Sequence, residues 1–299
     1  MIAGARFFQF ASTMILFGSS LFYLYGFDGP YDARWPRRLL ACAAIVALLS
    51  LIAWIMLQAA MFGDSFDTAL LGSMLTETGF GRVLGFRLAA AAVSCVALLF
   101  LWNAPLRVVA GVQAAFGAVL VASFVGVGHA AGGEGSFGAW RSTIDVVHLI
   151  SSAIWIGALV PLAIMVSRIA HGVSGEAAHA HFALVKFSGI GTAVVLFLVH
   201  TGLANAWMMV GGAPIIDLFT TVYGLALIAK IVLFIAMLML AAANRFWLTP
   251  RLAGALIEGG QTGTASALLK LSIFTETGLA VLVLIAVALM GTLEPPSGD

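Results

Sequence analysis

Charged residues are scarce in this sequence. Only 9% of its 299 residues are Asp, Glu, Lys or Arg, whereas soluble domains usually carry about a quarter. Hydrophobic residues make up 62% of the chain and the mean hydropathy is +1.09, which is more apolar surface than a water-soluble fold can bury. The formal net charge is +1 and no Lys/Arg-rich run is present, which argues against nucleic-acid binding. The composition therefore predicts an integral membrane protein.

Cysteine is also scarce. Cys42 and Cys95 each lie alone inside an apolar run, which leaves neither a disulfide framework nor a CxxC metal or redox motif. The sequence has no Walker A motif, and the loops between apolar runs are too short for the catalytic domains of a P-type pump. The first apolar run lacks a basic leader and a convincing cleavage site before Asp28, so we expect a retained helix and not a signal peptide.

The chain contains several apolar runs of about 18 or more residues, and each run is long enough to cross a hydrocarbon core of about 30 Å as a helix. We predict an all-α membrane protein, a single membrane domain over residues 1–299 with eight transmembrane helices. The predicted spans are 7–27, 38–62, 83–103, 106–129, 144–168, 183–210, 223–244 and 271–293.

The basic residues between these spans predict the orientation. With the N-terminus outside, nine lie on the inner side and four on the outer side, while Lys230 lies within a span. The inner set is Arg34, Arg37, Arg38, Arg107, Arg168, Lys186, Arg245, Arg251 and Lys270, and the outer set is Arg6, Arg82, Arg87 and Arg141. By the positive-inside rule, both termini are expected on the periplasmic side.

A short motif occurs twice in the predicted outer loops. Residues 78–81 (TGFG) are followed by Arg87 and residues 221–224 (TVYG) by Lys230, with an offset of 143 residues in each case. Two segments, 1–130 and 144–295, therefore resemble parallel four-helix repeats, an arrangement found in some transporters.

Arg87 and Lys230 are predicted to lie about 9 Å inside the membrane, since each follows its motif glycine by about six residues. Two interpretations are open. The long side chains snorkel to the headgroups, or they anchor the outer loops by bonding carbonyls or an acid such as Glu77 or Asp217.

The six histidines fall into two groups. His171, His179 and His181 lie in a predicted inner loop, where a solvated linker is the simplest interpretation and the H-x-H pair is a weak metal signal. His129, His148 and His200 are predicted in the outer half of the membrane, where polar groups are functional candidates. We predict metal ligation there.

Asp145 precedes His148 by three residues on one helical face, so its carboxylate is placed to accept a ring N–H and orient the other nitrogen toward a metal. Helix capping by Asp145 is the alternative. Thioethers at predicted outer helix ends suit Cu(I), although methionine also fills apolar cores. The additional candidates are Met61, Met208, Met209 and Met290 as ligands, and Arg87, Lys230, Asn205 and Glu276 as intramembrane polar residues.

Several short motifs together resemble the bacterial copper resistance protein D (CopD/PcoD) family. They are Gly128-His129, Asp145-x-x-His148, Trp155-Ile156-Gly157, Phe187-Ser188, Thr201-Gly202, Thr221-x-Tyr223-Gly224, Lys230, Asn244-Arg245, Glu276 and Glu294-Pro295-Pro296. The resemblance covers essentially the whole chain. It implies a protein of the bacterial inner membrane that handles copper together with a periplasmic copper-binding partner, and it carries His129, Asp145 and His148 across as site residues.

We therefore expect copper transport across the inner membrane, with uptake from the periplasm through a histidine-lined site, and no enzymatic activity. The cargo is a copper ion of either oxidation state, and the lipid bilayer is the surrounding partner. Two alternatives stay open. The histidines suit a haem- or copper-binding membrane redox protein, and every residue signal also fits an assembly factor that delivers copper to another protein.

Overall fold

The computed structural model describes residues 1–27, 31–62, 72, 78–127, 135–210, 216–257 and 262–293, and the regular structure in these segments is helical throughout. Seven of the helices are long and apolar enough to cross a membrane, and another apolar helix is shorter, at 17 residues. The predicted all-α membrane fold is confirmed at this level.

The helices are numbered in chain order. They are α1 Ile2–Tyr25, α2 Arg34–Phe62, α3 Gly79–Phe100, α4 Leu106–Ala122, α5 Gly135–Ala170, α6 Glu176–Val210, α7 Asp217–Thr220, α8 Val222–Ala243, α9 Thr249–Ile257 and α10 Thr262–Met290. A short 3-10 helix, Val125–Val127, follows α4, and a π-helical turn, Asn244–Leu248, joins α8 to α9.

Several helix ends differ from the predicted spans. The helix predicted at 144 begins at Gly135, the one predicted at 183 begins at Glu176, and the one predicted at 271 begins at Thr262. Charge ends an apolar run but does not end a helix, so these helices continue through polar residues. The fourth helix instead stops at Ala122, short of the predicted end at 129.

Helix α1 lies at the centre of the bundle and packs against α2, α4, α5 and α10. It crosses α5 where Gly18 meets Gly157: a Cβ atom on Gly157 would lie 2.5 Å from the Gly18 Cα atom. Ser19 donates a hydrogen bond of 2.7 Å to the Gly157 carbonyl at the same crossing. Close backbone approach at small residues is how membrane helices gain packing energy, so this crossing positions α5 in the bundle.

In the second half of the chain, the long helices pack in pairs. Helix α6 lies against α5, and α8 lies against α10. Between α6 and α8 a crevice of about 270 Å³ remains, with Trp155 of α5 on its wall. Its other described lining residues are Phe187, Ser188, Gly191, Thr192, Val195, Leu196, Leu238, Ala241, Ala242, Arg245 and Phe246.

The two copies of the repeated motif have the same local structure. Thr78 caps α3 by accepting a hydrogen bond of 2.8 Å from the Gly81 N–H, and Thr221 caps α8 through Gly224 at 3.1 Å. Both threonines have extended backbone angles, as an N-cap requires. The motif thus starts corresponding helices, while the division into repeats 1–130 and 144–295 stays a prediction.

At the predicted inner end, Glu176, the first residue of α6, bonds both to the end of α5 and to the connection between α1 and α2. It forms an ion pair of 2.9 Å with Arg168, and Tyr31 donates a hydrogen bond to its other carboxylate oxygen. Burial and then this hydrogen bond raise the pKa of the Tyr31 hydroxyl, so the phenol keeps its proton. His179 and His181 were predicted in a loop, but both lie in the first turns of α6, because that helix begins at Glu176. His179 packs edge-on against the Tyr31 ring at 5.0 Å.

Candidate metal site

Helices α5 and α6 run antiparallel, and polar side chains meet across their interface at three successive levels. Arg141 lies against Met209, Asp145 against Asn205, and His148 against Thr201. Because the residues on α5 are spaced by four and three positions, each level is about one helical turn, or about 5.4 Å, below the previous one. We call these three pairs the α5–α6 ladder.

All residues of the ladder except Thr201 line a pocket of about 230 Å³. It lies at the end of the bundle where α1 and α5 begin and α6 ends, which is the predicted outer end. Five residues predicted from the sequence lie in its wall together. The complete described lining is Arg6, Phe10, Phe124, Val125, Arg141, Asp145, His148, Leu149, Asn205, Met208 and Met209. The structure therefore brings one imidazole, one carboxylate, one amide and two thioethers to a single pocket.

His148 has a fixed orientation at the lowest level of the ladder. Its Nδ1 atom lies 2.9 Å from the Thr201 hydroxyl oxygen. Thr201 donates its only hydroxyl proton to the Phe197 carbonyl at 2.6 Å, so toward His148 the same oxygen accepts. The Nδ1 atom therefore carries the ring proton, and Nε2 keeps a free lone pair for a metal.

Asp145 has a different role from either one predicted. It does not cap α5, because the helix begins at Gly135, and the ring nitrogen of His148 that was expected to bond it is bonded to Thr201 instead. Its carboxylate lies within hydrogen-bonding reach of Asn205, and both Arg141 and Lys230 are close enough to attract it. Among the described lining residues, Asp145 is the only acid, so it supplies the negative charge of the pocket wall.

Lys230 reaches this site from α8. Its ammonium interacts electrostatically with Asp145 and with His148. Asp217, one of the two acids expected to hold it, does not contribute to that interaction, and Glu77 lies outside the described residues. Lys230 is half-buried on α8, and Asp145 is the acid with which it interacts.

Arg87, its counterpart in the repeated motif, is inside the protein and is only 3% exposed. Its guanidinium lies 4.2 Å from the centre of the Phe124 ring and 3.5 Å from the Gln9 side-chain oxygen. Since Phe124 lines the pocket and Arg6 adds to the positive charge near Arg87, Arg87 supports the pocket wall and the snorkelling interpretation is wrong for it.

The two methionines lie in the last turn of α6, at the top of the pocket. Arg141 donates to the sulfur of Met209 at 3.1 Å, which occupies one lone pair of that thioether. Among the described residues, Arg141 bonds the sulfur of Met209 and not that of Met208, so the Met208 thioether keeps both lone pairs. The side-chain oxygen of Asn205 is buried and has no hydrogen-bond partner, so this amide oxygen is available to bind a cation in the pocket.

The remaining predicted ligands are not brought to this pocket. His200 is exposed on α6, and its Nδ1 atom lies 2.7 Å from the Leu196 carbonyl of its own helix. Met290 ends α10 outside the pocket lining. His129 lies outside the described residues, and the side chain of Met61, near the end of α2, is likewise not described.

Glu276 is buried elsewhere, deeper in the bundle. The Trp155 ring N–H and the Asn244 amide donate hydrogen bonds of 2.8 and 2.9 Å to its two carboxylate oxygens. Trp155 and Asn244 carry no sequence signal that would pair them with an acid on another helix. Sequence reasoning found the buried acid but not its partners.

Donor chemistry narrows the choice of metal. Within the described ranges no three His, Cys, Asp or Glu side chains come together, so a site of the all-imidazole or His/carboxylate kind is not formed there. The pocket instead combines thioether sulfur with imidazole nitrogen, a donor set that suits Cu(I). The fold and site thus define a multi-pass membrane protein with soft donors at one end of its bundle.

Comparison with known proteins agrees with this class. Residues 1–139 match the family model described as copper resistance protein D-like, N-terminal domain, and residues 182–290 match the model described as copper resistance protein D. The chain therefore belongs to the copper resistance protein D family. The α5 side of the ladder lies between the two matched regions, and its α6 side lies within the second.

Individual relatives support the same assignment. The chain is 33% identical to copper resistance protein D of Pseudomonas syringae pv. tomato, over 97% of this chain and 95% of the relative. It is 31% identical to inner membrane protein YebZ of Escherichia coli (strain K12), over 97% of each. Copper transport protein CutJ of Bacillus subtilis (strain 168) is 25% identical over 81% of this chain and 46% of the relative. No solved structure matches the chain.

Proposed function

We propose that this protein is a permease of the bacterial inner membrane that takes up copper ions from the periplasm through the α5–α6 ladder. The single observation that carries the proposal is the alignment of thioether, carboxylate and imidazole side chains at successive depths along one helix interface. Copper as the cargo is supported by the family and by the names of two relatives, a copper resistance protein and a copper transport protein.

The order of donors suggests a route. An ion entering from the outer end meets Met208 and Met209 first, then the level of Asp145, and then the free Nε2 atom of His148. Each transfer between levels is about one helical turn, about 5.4 Å. Weak donors in series let an ion enter and also leave, which a transport route requires.

The surrounding charge favours Cu(I) as the transported species. Arg6 and Arg141 line the pocket together with Asp145, and Lys230 acts on its lower level. Coulomb repulsion from these cations is twice as large for a divalent as for a monovalent ion at the same distance. Thioether donors bias the site in the same direction.

Eight crossings with both termini in the periplasm fit this route. Arg37, at the start of α2, donates to the carbonyl of Ala104 just before α4. Phe124, just after α4, stacks on Phe10 of α1 at 4.4 Å. The short helix α4 thus runs from one end of the bundle to the other. An active alkaline phosphatase fused at the C-terminus, with a green fluorescent protein fusion that stays dark, would support a periplasmic end, and the reverse pattern would contradict it.

Copper delivery to the pocket is assigned to a separate periplasmic copper-binding protein, since the predicted outer end carries the soft donors. No enzymatic step is included in the proposal. Direct transfer of copper to an acceptor protein, without passage across the membrane, is the main alternative, and it uses the same residues.

Transport into liposomes separates these functions. Purified protein in vesicles that contain a Cu(I) chelator dye is supplied with ascorbate-reduced copper outside. The wild type should load the dye, His148→Ala should lose most of this uptake, and His200→Ala should match the wild type because His200 lies on the exposed face of α6. No uptake by the wild type, or equal uptake by His148→Ala, would contradict the permease.

A further inference from the structure

Glu276 is a carboxyl group without a countercharge in the middle of the bundle. It is 1% exposed, and its hydrogen-bond donors, Trp155 and Asn244, are both neutral. The ion pairs formed among the described residues do not include it. A buried carboxylate held only by neutral donors is costly in a membrane, and such groups are functional candidates by default.

A small cavity lies directly beside this carboxyl. A cavity of about 40 Å³ adjoins Glu276 and Asn244, with room for one or two water molecules. Ser188 and Arg245 line both this cavity and the crevice between α6 and α8. The cavity and the crevice are therefore neighbours, and the cavity leaves room for a water molecule to exchange a proton with Glu276.

Asn244 suits both protonation states of its partner. Its amide nitrogen donates to Glu276, while its amide oxygen is buried and has no hydrogen-bond partner. Rotating the amide by a half turn would present that oxygen to a protonated carboxyl, which then donates. An amide is one of the few side chains that offers a donor and an acceptor from the same position, so this pair can hold or release a proton without leaving the carboxyl unpaired.

The backbone at Asn244 is irregular as well. Residues Asn244–Leu248 form a π-helical turn, in which the Thr249 N–H bonds the Asn244 carbonyl. Pro250 follows, and its lack of an N–H prevents the regular bond to the carbonyl four residues earlier. π-helical turns within helices are frequent at functional sites.

Two helices connect this network to the copper pocket. On α5, His148 and Trp155 are seven residues apart, so they share a face about two turns apart. On α8, Lys230 acts on His148, Phe234 packs against the Trp155 ring at 6.0 Å, and the helix leads into Asn244. The same two helices therefore carry His148 or its neighbour Lys230 together with the two donors of Glu276.

Other charged groups around Glu276 are engaged elsewhere. Arg245, on the cavity wall, donates to the Ser188 carbonyl and to Thr192. On α10 itself the Lys270 ammonium lies over the Phe274 ring. Lys186 of α6 lies over Phe182, Arg168 of α5 pairs with Glu176, and Arg251 of α9 is exposed. Arg6 of α1 and Arg141 and Asp145 of α5 line the copper pocket, and Lys230 of α8 interacts with Asp145 there.

We propose that Glu276 is a proton-binding site inside the membrane, loaded and unloaded in step with copper movement. When copper leaves His148 toward the inside, one proton from the inner side adds to a carboxylate oxygen of Glu276. When the next copper ion binds, the same proton is released toward the periplasmic side. The inward movement of one Cu(I) is then balanced by the outward movement of one proton. This inference rests on the proposed permease function.

The test follows copper and protons together. Vesicles containing the protein, a Cu(I) chelator dye and a pH dye receive ascorbate-reduced copper. In the wild type, copper entry should be accompanied by a rise in internal pH. Glu276→Gln should lose the pH change, whereas Asp217→Asn, the same chemical change in the short helix α7, should keep it. Copper entry without a pH change in the wild type, or an unaltered pH change in Glu276→Gln, would overturn the proposal.

Infrared spectra of the purified protein separate failure of the inference from failure of the permease. Even if the wild type moves no copper, the spectra recorded on acidification should differ between the wild type and Glu276→Gln by the carbonyl band of one protonated carboxyl, and the same difference should appear between Asp217→Asn and the double variant. Absence of that difference band for the wild type would overturn the proton site. Trp155→Phe keeps the carboxyl and should keep the band, with its titration displaced, which covers the case in which Glu276→Gln does not fold.

Discussion

The ring of His148 on α5 donates a hydrogen bond of 2.9 Å to the hydroxyl oxygen of Thr201 on α6. This contact joins two helices and sets the tautomer of the imidazole, because the Thr201 proton is used by the Phe197 carbonyl. A neutral imidazole with a free Nε2 atom is the form that binds metals. The contact is therefore central to the proposed copper site.

Replacing Thr201 by valine keeps the shape of the side chain and removes the acceptor. The account predicts that Thr201→Val weakens copper binding by about 10–100-fold, the usual effect of losing a group that orients a ligating histidine. The measurement is a competition titration with a Cu(I) chelator. Thr275→Val is the matched control, since the exposed Thr275 hydroxyl bonds only a carbonyl of its own helix. Equal weakening in both variants would contradict an orienting role for Thr201.

Met208 tests whether sulfur takes part in binding. Met208→Leu conserves volume and removes the thioether, and we expect Cu(I) affinity to fall at least about tenfold, or about 1.4 kcal/mol. Met239→Leu, at a position 69% exposed on α8, should leave the affinity unchanged. If Met208→Leu binds Cu(I) as tightly as the wild type, the thioether is only a packing group.

The crossing of α1 and α5 positions the ladder and is predicted to be intolerant of added atoms. Gly157→Ala places a Cβ atom 2.5 Å from the Gly18 Cα atom, which requires the helices to separate. We expect a stability loss on the order of 1–3 kcal/mol, typical of overpacking, seen as a lower unfolding temperature in detergent. Gly189→Ala, where nothing lies within 4 Å of the new atom, is the control and should not lower it.

The sequence predicted how far along its helix each candidate residue lies, but it did not predict which face of the helix the residue occupies. Spans and charges placed Asp145, His148 and Met208 at one end of the bundle, and the structure brings them to one pocket. His200 and Thr201 are adjacent in sequence, but neighbouring helical residues point about 100° apart. Only Thr201 therefore faces His148. An isolated apolar run does not indicate which of its faces packs, so His200 was indistinguishable from a ligand.

Partners on distant helices were also beyond sequence reasoning. The position of Glu276 within a span was predicted, but its partner Asn244 lies 32 residues earlier in the chain, and only the packing of α8 against α10 brings the two side chains together. The same holds for the partner of Lys230. An acid was one of the partners expected from the sequence, with Glu77 and Asp217 as examples, and the structure supplies Asp145 of α5 instead of Asp217.

Copper binding by detergent-purified protein tests the central claim most directly, with metal content and an optical spectrum recorded together. The wild type and His200→Ala should bind Cu(I), His148→Ala should lose most of it, and no sample should show a Soret band. Unchanged copper content in His148→Ala would contradict the ladder as the copper site, and a Soret band in the wild type would replace it with a haem-binding redox protein.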